Sequence, residues 1–262
     1  MVALMQRVGS LWWKGFYPYF TRRADDDMLF FNWAYEEEPP MGIPLSDEDE
    51  KHRYPIQLYH ATAAQGELSG KRVLEVGCGH GGGASYLART FGPASYQGLD
   101  RNRTGIRFCR RRHHGVPRLS FTPGDAEALP FAEGSFDVVM NVESSHCYPH
   151  FDRFLSEVSR VLAPKGSLLY TDFRKRAECG DWEADLAAAP GLQIASWRDI
   201  SDDVARGMGL NSRYLSAVSE NLSPIPFLRS RMRKGAPAEG SWHQTGLRDG
   251  DASYRLYHLV RS

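Results

Sequence analysis

Between residues 70 and 175 the chain alternates apolar runs of strand length with stretches of helical period. KRVLEVGC predicts an apolar strand ending in a glycine turn, and ASYLARTF after it a helix. SYQGLD predicts a second strand and NRTGIRFCRRRHH a second helix, while LSFTPGD and SFDVVMNVES predict two further strands. In FDRFLSEVSRVL, Phe151, Phe154, Leu155, Val158 and Leu162 recur at helical spacing. The Pro164-Lys165-Gly166 turn then leads into the strand GSLLYTDF. Strands separated by helices predict a parallel sheet with right-handed crossovers.

Outside this zone the pattern is less regular. Residues 1–69 are aromatic, and AYEEEPPMGIPLSDEDE within them reads as a loop or mobile cover; deletion of residues 1–40 is expected to spare the fold. IQLYHATAAQGEL predicts a short helix leading into the first strand. In residues 176–262, DWEADLAAAP reads as a helix, SDDVARGMGLNSRYLSAVSENL as one or two more, and SYRLYHLVRS as a strand at a sheet edge. A helical insert between the fifth strand and the last ones would sit over the ligand end of the sheet. The expected plan is therefore one α/β domain: a cover (1–69), a cofactor core (70–175), and an insert with closing strands (176–262).

Charge and cysteine content narrow the class. Lys+Arg and Asp+Glu balance at 32 each, which argues against a nucleic-acid scaffold with its basic face. The basic run Arg101–Arg112 then reads as a solvated helix face, with His113 and His114 on the surface beside it. Cys78, Cys109, Cys147 and Cys179 are scattered with no C-x-x-C pair, so free thiols in a reducing compartment are expected. The first twenty residues lack a sustained apolar core and a small-residue cleavage site, and no stretch approaches the ~20 apolar residues that cross a bilayer. A cytoplasmic protein is the expectation.

The chemistry concentrates in Val73-Leu74-Glu75-Val76-Gly77-Cys78-Gly79-His80-Gly81-Gly82-Gly83. Its glycines allow a tight turn out of the strand and close approach of a ligand. Gly77, Gly79 and Gly82 also fit G-x-G-x-x-G, the dinucleotide fingerprint, which is weak alone. Asp100 follows Gly77 by 23 positions, where an acidic group can accept ribose hydroxyls in either class of enzyme.

The run E-V-G-C-G-x-G resembles motif I of the class I S-adenosylmethionine-dependent methyltransferases. The resemblance continues in order through Gly124-Asp125-Ala126-Glu127-Ala128-Leu129-Pro130-Phe131, Ser135-Phe136-Asp137-Val138-Val139 and Val161-Leu162-x-Pro164-x-Gly166. It implies a doubly wound, mostly parallel seven-stranded sheet of Rossmann-like type, with S-adenosylmethionine as cofactor and S-adenosylhomocysteine as product. Carried onto this chain, backbone N–H groups of Gly77, Cys78, Gly79 and Gly81 would meet the cofactor's carboxylate, and Glu75 would balance its positive end. Asp100 would take the ribose and Asp125 the adenine amine, both as buried carboxylates, although Asp125 also fits a helix N-cap. Ala126, Leu99 and Leu129 would flank the adenine, and Arg101 and Asn141 complete the candidate set.

Ligands of such sheets lie beyond the carboxyl ends of the strands, which brings Asn141-Val142-Glu143-Ser144-Ser145-His146-Cys147-Tyr148-Pro149-His150 to the reacting centre. An alcohol acceptor profits from a positioned base or a metal, and a histidine with an ordinary pKa of ~6.5 suits the former. His146 is the first candidate, Glu143 its orienter or an alternative base, and Asp172, ending the fifth strand, a third. No N-P-P-Y tetrapeptide of nucleic-acid amino methyltransferases is present, and no metal cluster shows by spacing. Asp172 with His146 or Glu143 leaves an Mg²⁺-assisted variant open.

FFNWAYEEEPP, LYHATAAQ, VLEVGCGHGGGASYLART, ESSHCYPHFDRFL and WEADLAAAP resemble the mycobacterial phthiotriol and phenolphthiotriol dimycocerosate methyltransferases, a group related to methyltransferases of glycolipid and polysaccharide sugars. The resemblance weakens after about residue 200, where the insert would shape the acceptor pocket. A small-molecule acceptor is implied; a sugar hydroxyl is favoured, with a long-chain lipid diol or triol as the alternative and a homodimer compatible with either. Two readings of other classes compete: an NAD(P)-dependent oxidoreductase, for which no catalytic Tyr/Lys or metal set is found, and a non-catalytic cofactor-binding module.

Overall fold

The computed structural model describes residues 28–221 and 239–262. The aromatic run at the start of the chain, and the end of the region read as a helical insert, lie outside these residues. Seven strands form one sheet in the order β3-β2-β1-β4-β5-β7-β6. They are β1 (Arg72–Val76), β2 (Ser95–Asp100), β3 (Leu119–Pro123), β4 (Phe136–Val142), β5 (Leu162–Lys175), β6 (Leu192–Asp199) and β7 (Ala252–Arg261). β1 to β5 pair in parallel, and β7 runs antiparallel between β5 and β6.

Alternation along the strands builds two cores. Val138, Met140 and Val142 of β4 face a cluster with Tyr59, Leu87 and Ile106, whereas Val139 faces one with Phe154, Leu155 and Val158. This is the period of two of a strand buried on both faces. Helices Arg53–Ala63, Gly82–Thr90 and Arg103–Arg112 cover the first face; Phe151–Val161 and Cys179–Ala187 cover the second. The chain leaves β1 toward β2 and later returns to β4 on β1's other side. The reversal leaves a crevice at the carboxyl ends of β1 and β4, where open sheets of this type bind ligands.

Several expectations change. The strand LQIASWRD (β6) was not expected, because seven of its eight residues are exposed at the sheet edge and carry no apolar pattern. A short helix, Trp242–Arg248, is also unexpected; Ser241 caps it by accepting from the Gln244 N–H. β6 divides the region read as a helical insert: the helix Cys179–Ala187 follows β5, and one long helix, Ser201–Asn221, follows β6. The acidic stretch read as loop contains a helical turn, Asp47–Glu50, capped by Ser46 and tied to Arg89 through two 2.9 Å bonds at Asp49. β5 continues three residues past Asp172. His113 is buried, its Nε2 2.9 Å from the His80 carbonyl, while His114 is exposed as expected. Trp33 and Tyr35 belong to the first core, so removal of residues 1–40, expected to spare the fold, would cut into that core.

Candidate active site

The turn after β1 uses backbone that only glycine adopts freely: φ is +82° at Gly77, +54° at Gly79 and +76° at Gly81. Its amides are largely engaged within the protein. Gly77 and Cys78 N–H groups donate to the Leu99 carbonyl at 2.8 and 3.0 Å, Gly79 N–H donates to Asp100 Oδ2 at 2.9 Å, and Gly81 N–H donates to the Cys78 carbonyl. The expected meeting of these four donors with a cofactor carboxylate is therefore corrected: they fix the turn onto β2. Buried Cys78 packs its sulfur toward Gly98, at whose Cβ position it would stand 3.0 Å away.

Asp100 clamps the loop through one oxygen and accepts from Asn102 N–H at 2.7 Å through the other. Burial raises its pKa, with those two backbone bonds working against the rise. Each oxygen keeps lone-pair capacity for further donors. Asp125 is exposed, not buried, and accepts from Glu127 N–H at 3.1 Å in a local turn. Ala126 is buried beside Leu99 and Leu129 in the second core, and Arg101 is exposed just past β2.

Glu75 differs from expectation. It lies on the first core's side of β1, fully buried, where Tyr59 and Tyr96 hydroxyls donate to its two oxygens at 2.9 and 2.8 Å. Burial pushes its pKa to about 7 against the pull of both phenols.

Asn141 is the clearest sign of a ligand. Its Nδ2 donates to the Val76 carbonyl at 2.9 Å and to the Tyr148 hydroxyl at 3.0 Å, and a carbonyl can only accept, so the amide's orientation is fixed. Oδ1 is then a buried acceptor with no partner. Leaving such a group unmade costs about 1–3 kcal/mol, which a donor on a bound ligand would relieve. An orphan acceptor between β1 and β4 and a half-buried carboxylate at the end of β2 match a ligand with an ammonium group and a ribose. The S-adenosylmethionine donor set fits these residues.

At the end of β4, Glu143 holds φ +47°, uncommon for a residue with a side chain. The left-handed turn breaks the strand's alternation: odd positions face the second core, yet the Glu143 carboxylate reaches Trp33 N–H (2.7 Å) and the Tyr254 hydroxyl (2.6 Å) on the first. Burial pushes its pKa to about 8, opposed by those two donors. Glu143 is therefore not the group that orients His146.

That group is Asp172. His146 Nδ1 lies 2.9 Å from Asp172 Oδ1, and His146 N–H donates to Oδ2 at 2.9 Å. The Ser145 hydroxyl adds a 2.6 Å bond and Arg174 an ion pair at 3.3 Å. A carboxylate only accepts, so Nδ1 carries the proton and Nε2 is the basic nitrogen. Burial disfavours the imidazolium, but Asp172 outweighs it and holds the His146 pKa well above its usual value. For Asp172, burial is likewise overcome by His146 and Arg174, and its pKa lies well below the usual carboxylate range. Asp172 is fully buried and has five donors around it, the fifth being the Phe173 N–H at 2.9 Å. Among the described residues no group of three or more His, Cys, Asp or Glu side chains could hold a metal ion.

Sequence reasoning missed Trp33, Arg174 and Tyr254, and it placed Ser144 and Tyr148 at the strand end without assigning them a role. Tyr148 lay within the quoted ESSHCYPH segment, but nothing in that string says which side chains fold back onto Gly77.

The sequence matches the family described as "Methyltransferase domain" over residues 74–170. It is 56% identical over 246 residues to a fatty-acid O-methyltransferase of Mycolicibacterium smegmatis, covering 94% of this chain and 88% of that protein. It is 51% identical to the phthiotriol/phenolphthiotriol dimycocerosates methyltransferase of Mycobacterium tuberculosis, covering 99% and 97%. Among solved structures, a putative sarcosine dimethylglycine methyltransferase of Galdieria sulphuraria aligns with TM-score 0.68 at 18% identity, over 88% of this chain and 93% of that one. A geranyl diphosphate C-methyltransferase of Streptomyces coelicolor, solved with Mg²⁺, geranyl diphosphate and S-adenosylhomocysteine, aligns with TM-score 0.65 at 17% identity over 93% and 95%. At those identities the likeness is one of fold.

Proposed function

Because this chain belongs to the S-adenosylmethionine-dependent methyltransferases, we propose that it methylates an oxygen of a long-chain lipid acceptor. The observation that carries the chemistry is the His146–Asp172 pair at the carboxyl ends of β4 and β5. The relatives named for phthiotriol lipids and fatty acids favour a lipid over the sugar hydroxyl that the sequence favoured. No helix among the described residues is long and apolar enough to cross a membrane.

Asp100 would hold the ribose, Asn141 the ammonium end, and Ala126 with Leu99 and Leu129 the adenine, with Asp125 at its amine. The bound cofactor supplies an activated methyl carbon. His146 Nε2 takes the proton of an acceptor hydroxyl as its oxygen attacks, while Asp172 keeps the ring in register and stabilises the imidazolium that results. The cover aids by excluding water: Leu29 lies against Gly82, Phe31 packs on the His80 ring at 4.5 Å, and Trp33 N–H is held by Glu143. Residues 1–69, 70–175 and 176–262 then act as cover, cofactor core and acceptor-side insert of one domain.

A second reading rests on the raised pKa of His146. A fatty carboxylate is already ionised near neutrality and needs no base, and a protonated His146 would hold it by charge. Transfer of labelled methyl to a long-chain diol, a free fatty acid and a methyl glycoside tests the proposal and separates the two lipid readings. A diol's rate should rise with pH through the His146 pKa, whereas a fatty acid's should fall. Methylation of the glycoside alone would reject the lipid acceptor.

A further inference from the structure

The end of β4 carries a hydroxyl network that the proton-transfer reading does not use. Tyr148 follows the single turn Ser145–Cys147, and its N–H donates to the Ser145 carbonyl at 3.0 Å. The turn folds the phenol back, with its ring edge-on to Phe154 at 5.0 Å, until the hydroxyl lies 2.6 Å from Ser144 Oγ and 3.0 Å from Asn141 Nδ2. The same pair sits on the cofactor loop: a Cβ at Gly77 would stand 1.9 Å from Ser144 Oγ and 3.0 Å from the Tyr148 hydroxyl.

The proton count gives this network a direction. Asn141 Nδ2 has two protons; one goes to the Val76 carbonyl and the other to the Tyr148 oxygen. An amide nitrogen cannot accept, so the phenol's own proton points to Ser144 Oγ. Without the phenol, one Nδ2 proton loses its acceptor and the amide can turn about its side-chain torsions, since the Val76 carbonyl alone holds it. With the phenol in place the amide is clamped at two points and Oδ1 keeps its buried position without a partner in the protein.

We propose that Tyr148, supported by Ser144, is a positioning residue for the cofactor's amino-acid end, holding the Asn141 amide so that Oδ1 accepts from the α-ammonium group. The inference rests on the cofactor reading above and adds to it the residues that prepare the acceptor. Tyr148 acts through Asn141, so its removal should harm ligands that carry an amino-acid group and spare ligands that lack one.

Calorimetry on the full chain with S-adenosylhomocysteine and with 5′-deoxy-5′-methylthioadenosine, which keeps the nucleoside and thioether but has no amino-acid end, makes the test. Tyr148→Phe should weaken S-adenosylhomocysteine about five- to tenfold, the scale of one buried hydrogen bond, and leave methylthioadenosine within about twofold. Ser144→Ala should show the same selectivity with a smaller loss, and it decides the matter if the Phe variant does not fold. Equal weakening of both ligands in either variant would mean a general packing role and overturn the proposal, as would unchanged S-adenosylhomocysteine affinity in both. Failure of the unaltered chain to bind either ligand would remove the cofactor reading itself, and this inference with it.

Discussion

His146 and Asp172 are 26 positions apart in the chain, and their 2.9 Å contact fixes the ring's orientation, as the proposed base requires. His146→Ala should lower turnover on a diol by the ~10²–10⁴ of a lost general base while leaving S-adenosylhomocysteine affinity within about twofold. In the unaltered protein the rate should rise with pH and level off above the ordinary histidine pKa, because Asp172 stabilises the imidazolium. Asp172→Asn removes that charge, so the rising limb should move to lower pH even as the maximal rate falls. A limb that stays in place would place the titrating group elsewhere. Asp100 serves both the loop and the expected ribose, and Asp100→Ala should weaken S-adenosylhomocysteine by roughly 1.5–3 kcal/mol, the range of charge-assisted bonds; unchanged calorimetric affinity would move the ribose away from β2.

Glu143 joins three elements: the end of β4, the cover at Trp33 and β7 at Tyr254. A base and a latch at this position respond differently to substitution. Glu143→Gln keeps an oxygen that accepts from both donors but removes the carboxylate; Glu143→Ala removes the acceptor. If Glu143 latches the cover, the Gln variant should keep most turnover, and the Ala variant should show a higher acceptor KM and a lower melting temperature. Near-complete loss of turnover in the Gln variant, with its melting temperature unchanged, would instead make Glu143 the base. The cover could not be tested by deleting it, since Trp33 and Tyr35 are part of the core it covers.

Across the whole molecule, buried acids set the response to pH. Glu75 is a fully buried carboxyl whose pKa rises from 4.5 to about 7 on folding. The folded state therefore favours its protonated form: that advantage is complete below the unfolded value near 4.5 and is lost as pH rises through about 7. A displacement of this size corresponds to roughly 3 kcal/mol. Glu75→Gln should flatten the decline of denaturant-derived stability between pH 5 and 8, provided that the amide can still meet Tyr59 and Tyr96; an unchanged slope would exclude Glu75 as its source. Ligand linkage gives a second whole-molecule test. At a hundredfold excess over Kd, S-adenosylhomocysteine should add about 2.7 kcal/mol, or about 5–10 °C in melting temperature for a domain of this size. A shift with NADH and none with S-adenosylhomocysteine would return the glycine loop to the dinucleotide enzymes.

Strand-helix alternation through residues 70–175, the glycine turn and the acidic residue closing the second strand are all local patterns, and each was legible in the chain. Periodicity and turn chemistry act over a few residues, so five strands and the position of the crevice could be read from them. The edge strand β6 could not be, because an exposed strand held by ladder bonds to β7 on one side needs no apolar code. The site divides in the same way. Residue types at the strand ends named His146, Glu143, Asp172, Asp100 and Asn141 as candidates, but their roles depended on distances between remote segments. Tertiary structure gave Asp172 to His146, sent Glu143 across to Trp33 and Tyr254, and enclosed Glu75 between Tyr59 and Tyr96. It also turned the loop amides onto Leu99 and Asp100. Hydrogen bonds are satisfied by whichever donor the packing brings within reach, and no spacing along the sequence states which one that is.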